Sequence, residues 1–299
     1  MKNCINIKSN QNAKLYKLQG EKMKKFYITC LIFMSTLIAA EVDLTTDQCE
    51  ATNDISTEKV FTKDFSGTFN GQKLNYTASL KEKILYEKDN PKAELASFYY
   101  SEYIVSSDEN RPIMFIFNGG PGSASLWLHM GVLGPKIVKV PSDASDDGSP
   151  PYNIIDNNLS PLSETDMVFI DPIGTGYSRA LGCHDGEEFW GVNEDPKIIA
   201  EFIRRWITDN KRWNSPRYIL GESYGGIRGP LLVSELRSGD ITPIEINGLL
   251  MVAPASDYQY LVFHPGNNSP HYGFFPSYAA TDYYHGKVKT DKSLAVFYN

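Results

Sequence analysis

The stretch Tyr218-Ile-Leu-Gly-Glu-Ser-Tyr-Gly225 decides the fold of this chain. It joins a short apolar run, 218–220, to residues 226–236, which have helical character, through a Gly-x-Ser-x-Gly turn. The glycines leave room for a strained turn that exposes the Ser223 hydroxyl, and the start of the helix favours developing negative charge. A glycine-rich turn without chemistry is the alternative interpretation, which the two flanks disfavour. We therefore predict that Ser223 is a nucleophile.

The segments around this turn predict a sheet covered by helices. Four short apolar runs predict strands that are buried on both faces. Apolar side chains at helical spacing predict a helix over 194–210. Short buried strands that alternate with helices are typical of an α/β fold, with a mainly parallel sheet and helices on both faces. The four runs are 112–117, 167–170, 218–220 and 248–253.

The part of the chain before the first buried strand has the pattern of an antiparallel hairpin. Residues 65–77 alternate in polarity around Asn70-Gly71, a dipeptide that suits a type I′ turn. Residues 97–105, rich in aromatic and β-branched side chains, predict a further strand. Residues 141–163, rich in Ser, Pro, Asp and Asn, predict a loop.

Two further motifs follow predicted strands, where ligands of open α/β sheets bind. Asn118-Gly-Gly-Pro-Gly122 follows 112–117, and its consecutive glycines let backbone N–H groups approach an oxyanion. A phosphate-binding loop is the alternative, but the residues of such motifs are missing here. Asp171, which follows 167–170, is expected to hold its loop through hydrogen bonds and not to take part in catalysis.

Together the three motifs resemble those of the serine carboxypeptidase family, peptidase family S10, which has the α/β-hydrolase fold. The matching stretches are Phe117–Gly122, Asp171–Ser178 and Gly221–Gly225, in the family's order, and Ser123–Pro135 looks most like the bacterial branch. One departure is Ile116, where many members have Trp, so part of the carboxylate pocket differs.

The resemblance implies a role for five residues. Ser223 would be the acylating nucleophile, and the backbone N–H groups of Gly120 and Tyr224 would form the oxyanion hole. Asn118 and Glu222 would bind the terminal carboxylate of a peptide or protein substrate. Two carboxylates share a hydrogen bond only when one of them is protonated, so we expect activity to favour acidic pH. The resemblance implies no cofactor and no metal.

A serine hydrolase of this fold also needs an acid and a histidine, which follow the serine in the chain. The histidines available after Ser223 are His264, His271 and His285, and each is interpreted as a polar loop residue. Asp257 is the best available candidate for the acid of the triad. The aromatic run 272–284 is expected to cover the active site. We therefore expect a C-terminally truncated chain that lacks the Asp and His of the triad.

The N-terminal residues have the composition of an export signal. A net charge of +6 over residues 1–40 includes Lys24-Lys25, directly before the apolar run 26–38, which is shorter than a bilayer span. We predict a signal peptide region over 1–40, in which 1–22 come from a misassigned start, then a polar leader over 41–59. Residues 60–299 form the N-terminal part of an α/β-hydrolase domain.

Export predicts a secreted or periplasmic protein with no stable membrane span after signal cleavage. A short N-terminal membrane anchor is the alternative. In an oxidising compartment Cys49 and Cys183 become candidates for a disulfide. The formal net charge of the whole chain is −7, which disfavours nucleic acid as a partner, and no cysteine spacing indicates a zinc site.

Other functions compete with a carboxypeptidase. Esterases and acyltransferases use the same acyl-enzyme chemistry. Proline iminopeptidase-like enzymes typically have His in place of Asn118 and Trp in place of Tyr224. A different class is a non-catalytic peptide-binding remnant, which has a pocket but no base.

Overall fold

The computed structural model describes residues 57–105, 110–141, 143, 145, 148, 150–238 and 242–298. The expected signal peptide region over 1–40, most of the polar leader and Cys49 lie outside the described residues. Cys183 is disulfide-bonded. None of the described helices is both long enough and apolar enough to span a bilayer.

Ten strands and five α-helices are described. The strands are β1 (Val60–Phe69), β2 (Gln72–Tyr86), β3 (Glu94–Ile104), β4 (Ile113–Phe117), β5 (Lys136–Val138), β6 (Ile154–Asp156), β7 (Asp166–Ile170), β8 (Arg179–Ala180), β9 (Arg217–Glu222) and β10 (Gly248–Val252). The helices are α1 (Leu126–Leu128), which continues as a π-helical turn, α2 (Glu194–Asp209), α3 (Gly225–Ser238), α4 (Ser269–Tyr284) and α5 (Leu294–Tyr298).

The main sheet has the strand order β1-β2-β3-β7-β4-β9-β10, with β8 paired to β3. The β1, β2 and β3 strands form an antiparallel meander, whereas β7, β4, β9 and β10 run parallel to one another. The β4 strand is followed in the chain by its neighbour on one side, β7, and later by its neighbour on the other side, β9. This reversal of direction makes the carboxyl ends of β4 and β9 the switch point at which ligands of α/β sheets bind.

The central strands are buried on both faces, as their apolar sequences predict. In β4, Phe115 and Phe117 pack on one face, in the same cluster as Phe202 and Trp206 of α2. Met114 and Ile116 point to the other face, into a cluster that includes Leu128 of α1 and Leu162. The predicted strands 112–117, 167–170 and 218–220 and the predicted helix 194–210 are therefore present, with bounds that differ by one or two residues.

The predicted hairpin is also confirmed. The β1 and β2 strands are joined by Asn70 and Gly71 alone, with φ angles of 48° and 81°. Positive φ at both positions is the requirement of a type I′ turn, which asparagine and glycine meet at low cost.

Two expectations were wrong. The run 248–253 was expected to be fully buried, but Leu250, Met251 and Val252 of β10 are 40%, 47% and 42% exposed. Among the described residues β10 pairs only with β9, so it forms an edge of the sheet. The expected loop 141–163 contains β6, which pairs with β5 in a separate two-stranded sheet, because apolar Ile154 and Ile155 give that segment strand character.

A buried carboxylate ties together the N-terminal ends of the central strands. Asp166, at the start of β7, is fully buried and accepts hydrogen bonds from Arg111 Nε and Arg212 Nη1, each at 2.9 Å. It also accepts one from the backbone N–H of Val105 at 2.9 Å. Three segments distant in sequence thus depend on one side chain, at the end of the sheet opposite to the switch point.

Replacing Asp166 with alanine is expected to lower the free energy of unfolding by about 3–5 kcal/mol, because two arginines lose a buried partner. Urea unfolding of the purified chain measures this change. The control is Glu201→Ala, which breaks a partly exposed pair with Arg205 and should cost far less. A loss for Asp166→Ala as small as that for Glu201→Ala would contradict the assignment.

Candidate active site

Ser223 stands on a sharp turn between β9 and α3. Its φ angle is 58°, a left-handed conformation that costs a non-glycine residue energy. Backbone hydrogen bonds hold the turn on both sides. Ser223 N donates to Val252 O at 2.9 Å, and Ser223 O accepts from Gly226 N and Ala255 N, each at 2.8 Å. The β10 strand and the segment after it therefore fix the serine in its strained conformation.

The first glycine of the motif is required by close packing. A Cβ placed on Gly221 would lie 2.8 Å from Gly225 O and 2.9 Å from the ring of Phe117. No side chain fits at that distance without a shift of the backbone. The strand, turn and helix predicted from the Gly-x-Ser-x-Gly stretch are all present.

The glycine-rich loop after β4 lies directly against this turn. A Cβ on Gly119 would lie 2.5 Å from Tyr224 N, 2.6 Å from Glu222 O and 2.9 Å from Ser223 Cβ. The next residue, Gly120, has a φ angle of +108°, which L-amino acids rarely adopt. Two glycines in succession therefore allow the loop to approach the serine more closely than any other residues would.

Two backbone donors near Ser223 are left without a partner. Among the described residues, no atom accepts a hydrogen bond from Gly120 N–H or from Tyr224 N–H. Tyr224 is 5% exposed, and buried N–H groups are normally paired, so its unpaired donor beside a serine is unusual. Gly120 is exposed. They are the two groups that the resemblance implies for an oxyanion hole.

Asn118 and Glu222 lie within hydrogen-bonding distance. Asn118 Nδ2 donates to Glu222 Oε2 at 3.1 Å, and Gly119 N donates to the same oxygen at 3.4 Å. Asn118 is 1% exposed, and its Oδ1 accepts from Leu128 N at 3.0 Å, which fixes the orientation of the amide. The two residues expected to bind a substrate carboxylate are thus brought together from sequence positions 104 residues apart.

Asp171 holds its neighbouring loop, as the sequence predicts. Its Oδ1 accepts from Ser125 N at 2.8 Å, and its backbone oxygen accepts from Ser178 Oγ at 2.7 Å. Burial raises the pKa of the Asp171 carboxyl, and the hydrogen bond from Ser125 opposes that rise. Asp171 thereby links the end of β7 to the segment that follows the glycine-rich loop.

No histidine forms a hydrogen bond with Ser223. All five histidines of the sequence lie among the described residues, and none forms a hydrogen bond with the serine. His264 and His285 are exposed in irregular segments, whereas His271 lies in the first turn of α4, so its interpretation as a loop residue was wrong. The same helix, Ser269–Tyr284, contains the whole aromatic run 272–284.

Asp257 has a local role. Its side chain caps the short 3₁₀ turn Tyr258–Tyr260 and accepts from Gln259 N at 2.8 Å. No histidine is among its hydrogen-bond partners in the described part of the chain. Within the same residues, no group of three or more His, Cys, Asp or Glu side chains is placed to hold a metal ion.

Arg228 is a residue of this region that sequence reasoning missed. It lies on α3 and is 1% exposed, and its guanidinium donates to backbone oxygens of the glycine-rich loop. An arginine within a helix is usually solvent-exposed, so the sequence gives no signal for this burial.

The sheet, the strained serine turn and the adjacent glycine-rich loop are features of the α/β-hydrolase fold. A family model described as Serine carboxypeptidase matches residues 73–268, more than half of the chain. The chain belongs to the serine carboxypeptidase family. No comparison tests the expected relationship to the bacterial branch, which stays a prediction.

Two curated plant proteins and one solved yeast structure are similar to this chain. Serine carboxypeptidase-like 2 of Arabidopsis thaliana is 28% identical over 55% of this chain and 37% of its own length. Serine carboxypeptidase-like 5 of the same plant is 28% identical over 56% of this chain and 40% of its own length. The chain thus spans less than half the length of these relatives. The prohormone-processing carboxypeptidase Kex1 of Saccharomyces cerevisiae is 20% identical, with a TM-score of 0.48, over 71% of this chain and 48% of its own.

Replacing Gly119 with alanine tests the contact between the loop and the serine turn. The new Cβ meets backbone atoms, which cannot rotate away, so we expect a loss of about 1–3 kcal/mol in the free energy of unfolding. The matched control is Gly122→Ala in the same loop, since a Cβ there meets nothing within 4 Å. Thermal and urea unfolding measure both variants, and equal stability of the two would contradict the close contact.

Proposed function

We propose that this protein is a serine-type carboxypeptidase that releases C-terminal residues from peptides through an acyl-enzyme on Ser223. One observation carries the proposal: the Asn118–Glu222 pair adjoins the turn that bears Ser223, while Gly119 packs against the same turn. A group that can bind a carboxylate and a group that can attack a carbonyl are therefore a short distance apart. That arrangement suits the last peptide bond of a chain.

The chemistry assigned to these groups is acyl transfer. Ser223 Oγ attacks the carbonyl carbon of the last peptide bond and gives its proton to a general base, and the carbonyl oxygen becomes an oxyanion. The free N–H groups of Gly120 and Tyr224 bind that oxygen and stabilise its charge. The C–N bond then breaks, the departing amine takes a proton, and water hydrolyses the ester on Ser223.

Carboxylate recognition is assigned to Asn118 and Glu222. Since Glu222 Oε2 already accepts from Asn118 and Gly119, Oε1 is the oxygen left to face a substrate. A hydrogen bond between Oε1 and a substrate carboxylate needs one shared proton, which is more available at acidic pH. An esterase would have no use for this pair.

The base of the reaction is not assigned to any of the described residues. None of the five histidines forms a hydrogen bond with Ser223, and Asp257 caps a turn. We propose that the sequence given holds the nucleophile, the oxyanion hole and the carboxylate site but lacks the Asp and His of the triad. This lack favours a second candidate, a non-catalytic peptide-binding protein that uses the same carboxylate site.

Export is part of the proposal. The signal-like composition of residues 1–40 supports a secreted or periplasmic protein. The disulfide at Cys183 agrees with an oxidising compartment.

Labelling with a fluorophosphonate probe tests the nucleophile. We expect slow labelling of the full chain that Ser223→Ala abolishes and that added imidazole accelerates, because imidazole can act as the missing base. The matched control is Ser238→Ala at the far end of α3, which should label like the wild type. Mass spectrometry of the labelled peptide measures the site and the rate.

Two results would count against this account in different ways. Labelling that stays absent or independent of Ser223 with imidazole present would remove the enzymatic function and leave the peptide-binding candidate. Fast labelling that imidazole does not change would show that a base is already in place.

Protection of Ser223 from labelling tests the carboxylate site. A blocked dipeptide with a free C-terminus should protect about tenfold better at pH 5 than at pH 7.5, the value of one charge-assisted hydrogen bond of roughly 1.5 kcal/mol. The amidated dipeptide should show no such dependence. Glu222→Gln should remove the dependence, because its amide nitrogen donates at either pH. A wild-type profile that is flat with pH would refute the shared proton.

A further inference from the structure

Arg228 hydrogen-bonds to three residues next to the serine turn. Its Nε donates to Asp195 Oδ2 at 2.6 Å, its Nη1 to Asn118 O at 2.7 Å and its Nη2 to Pro121 O at 3.3 Å. Asn118 and Pro121 lie on either side of Gly119 and Gly120. One guanidinium group therefore holds both ends of the segment that carries an oxyanion donor.

The same guanidinium also contacts the turn that carries the second donor. Its central carbon lies 5.3 Å from the centre of the Tyr224 ring and 5.2 Å from that of Phe117. These distances are typical of cation–π contacts. Arg228 thus links the Gly120 donor and the Tyr224 donor through one rigid, planar group.

One side of the loop borders a cavity. Pro121 and Gly122 border a cavity of about 320 Å³, whose walls include Ile173, Trp190 and Asp195. Because side chains do not pack against the loop on that side, its conformation depends more strongly on the hydrogen bonds from Arg228. Arg228 gives the loop directional hydrogen bonds, which an apolar side chain could not form.

Asp195 fixes the direction of the guanidinium. It lies in the first turn of α2 and is 6% exposed. Burial raises the pKa of Asp195, and the positive charge of Arg228 opposes that rise. An arginine anchored at Nε has its two terminal nitrogens aimed in fixed directions, here at the two carbonyls of the loop.

We propose that Arg228 is a positioning residue that sets the distance between the two oxyanion donors, with Asp195 as its anchor. The proposal deepens the proposed function, on which it rests. Lysine at this position keeps the charge, but as a point donor it cannot reach Asp195 and both carbonyls in the same geometry.

The chain offers a matched control for a purely structural role. Arg212 is likewise buried and bonded to a buried carboxylate, Asp166, but at the opposite end of the sheet. Arg212→Lys and Arg228→Lys should therefore destabilise the fold to similar degrees. Only Arg228→Lys should alter the glycine-rich loop.

The experiment compares these two variants of the full chain with the wild type. Urea unfolding gives stability, hydrogen exchange gives protection of the peptide that spans 118–124, and fluorophosphonate labelling with imidazole gives kinact and KI. For Arg228→Lys we expect exchange in 118–124 to be about tenfold faster. We expect kinact to fall about tenfold to a hundredfold, the scale for loss of an oxyanion donor, while KI stays the same. Arg212→Lys should change neither.

Hydrogen exchange decides the proposal even if no variant is labelled. Unchanged protection of 118–124 in Arg228→Lys, or equal loss of protection in Arg212→Lys, would overturn it. Absence of labelling in the wild type would contradict the proposed function alone. If Arg228→Lys does not fold, Asp195→Asn takes its place, and it should accelerate exchange in 118–124 ahead of global unfolding; unchanged exchange there would also overturn the proposal.

Discussion

The close approach of Gly119 to the serine turn is the constraint on which the rest of the site depends. With no room for a Cβ between the loop and Tyr224 N, the backbones of the two chain segments lie in direct contact. That contact fixes the relative positions of Ser223 and Gly120. It exists because β4 and β9 are neighbours in the sheet, so that the turns at their carboxyl ends meet.

Polar side chains reinforce this contact from two directions. Glu222 accepts hydrogen bonds from Asn118 and from the backbone of Gly119, so one residue of the serine turn holds the start of the loop. Arg228 binds the loop at two backbone carbonyls, those of Asn118 and Pro121. The loop is thereby held by charge-assisted hydrogen bonds, which are stronger and more directional than neutral ones.

The sequence predicts what depends on local pattern. The Gly-x-Ser-x-Gly turn, the Asn70-Gly71 hairpin and the buried central strands follow from residue types at short range, and all are present. Contacts between helices that are far apart in the sequence cannot be predicted from such local patterns. The pair Arg228–Asp195 joins positions 33 residues apart on α3 and α2, and neither residue type indicates burial. The exposure of β10 could not be predicted either. An apolar sequence indicates a strand, but it does not show whether a second strand will pack along that edge of the sheet.

The most direct test of the central claim is a crystal structure of the chain after reaction of Ser223 with a phosphonate. The account predicts a phosphonyl oxygen at about 2.7–3.1 Å from both Gly120 N and Tyr224 N, with Arg228 still bound to the loop. A phosphonyl oxygen that points away from these two N–H groups, or a loop displaced from the serine turn, would contradict it.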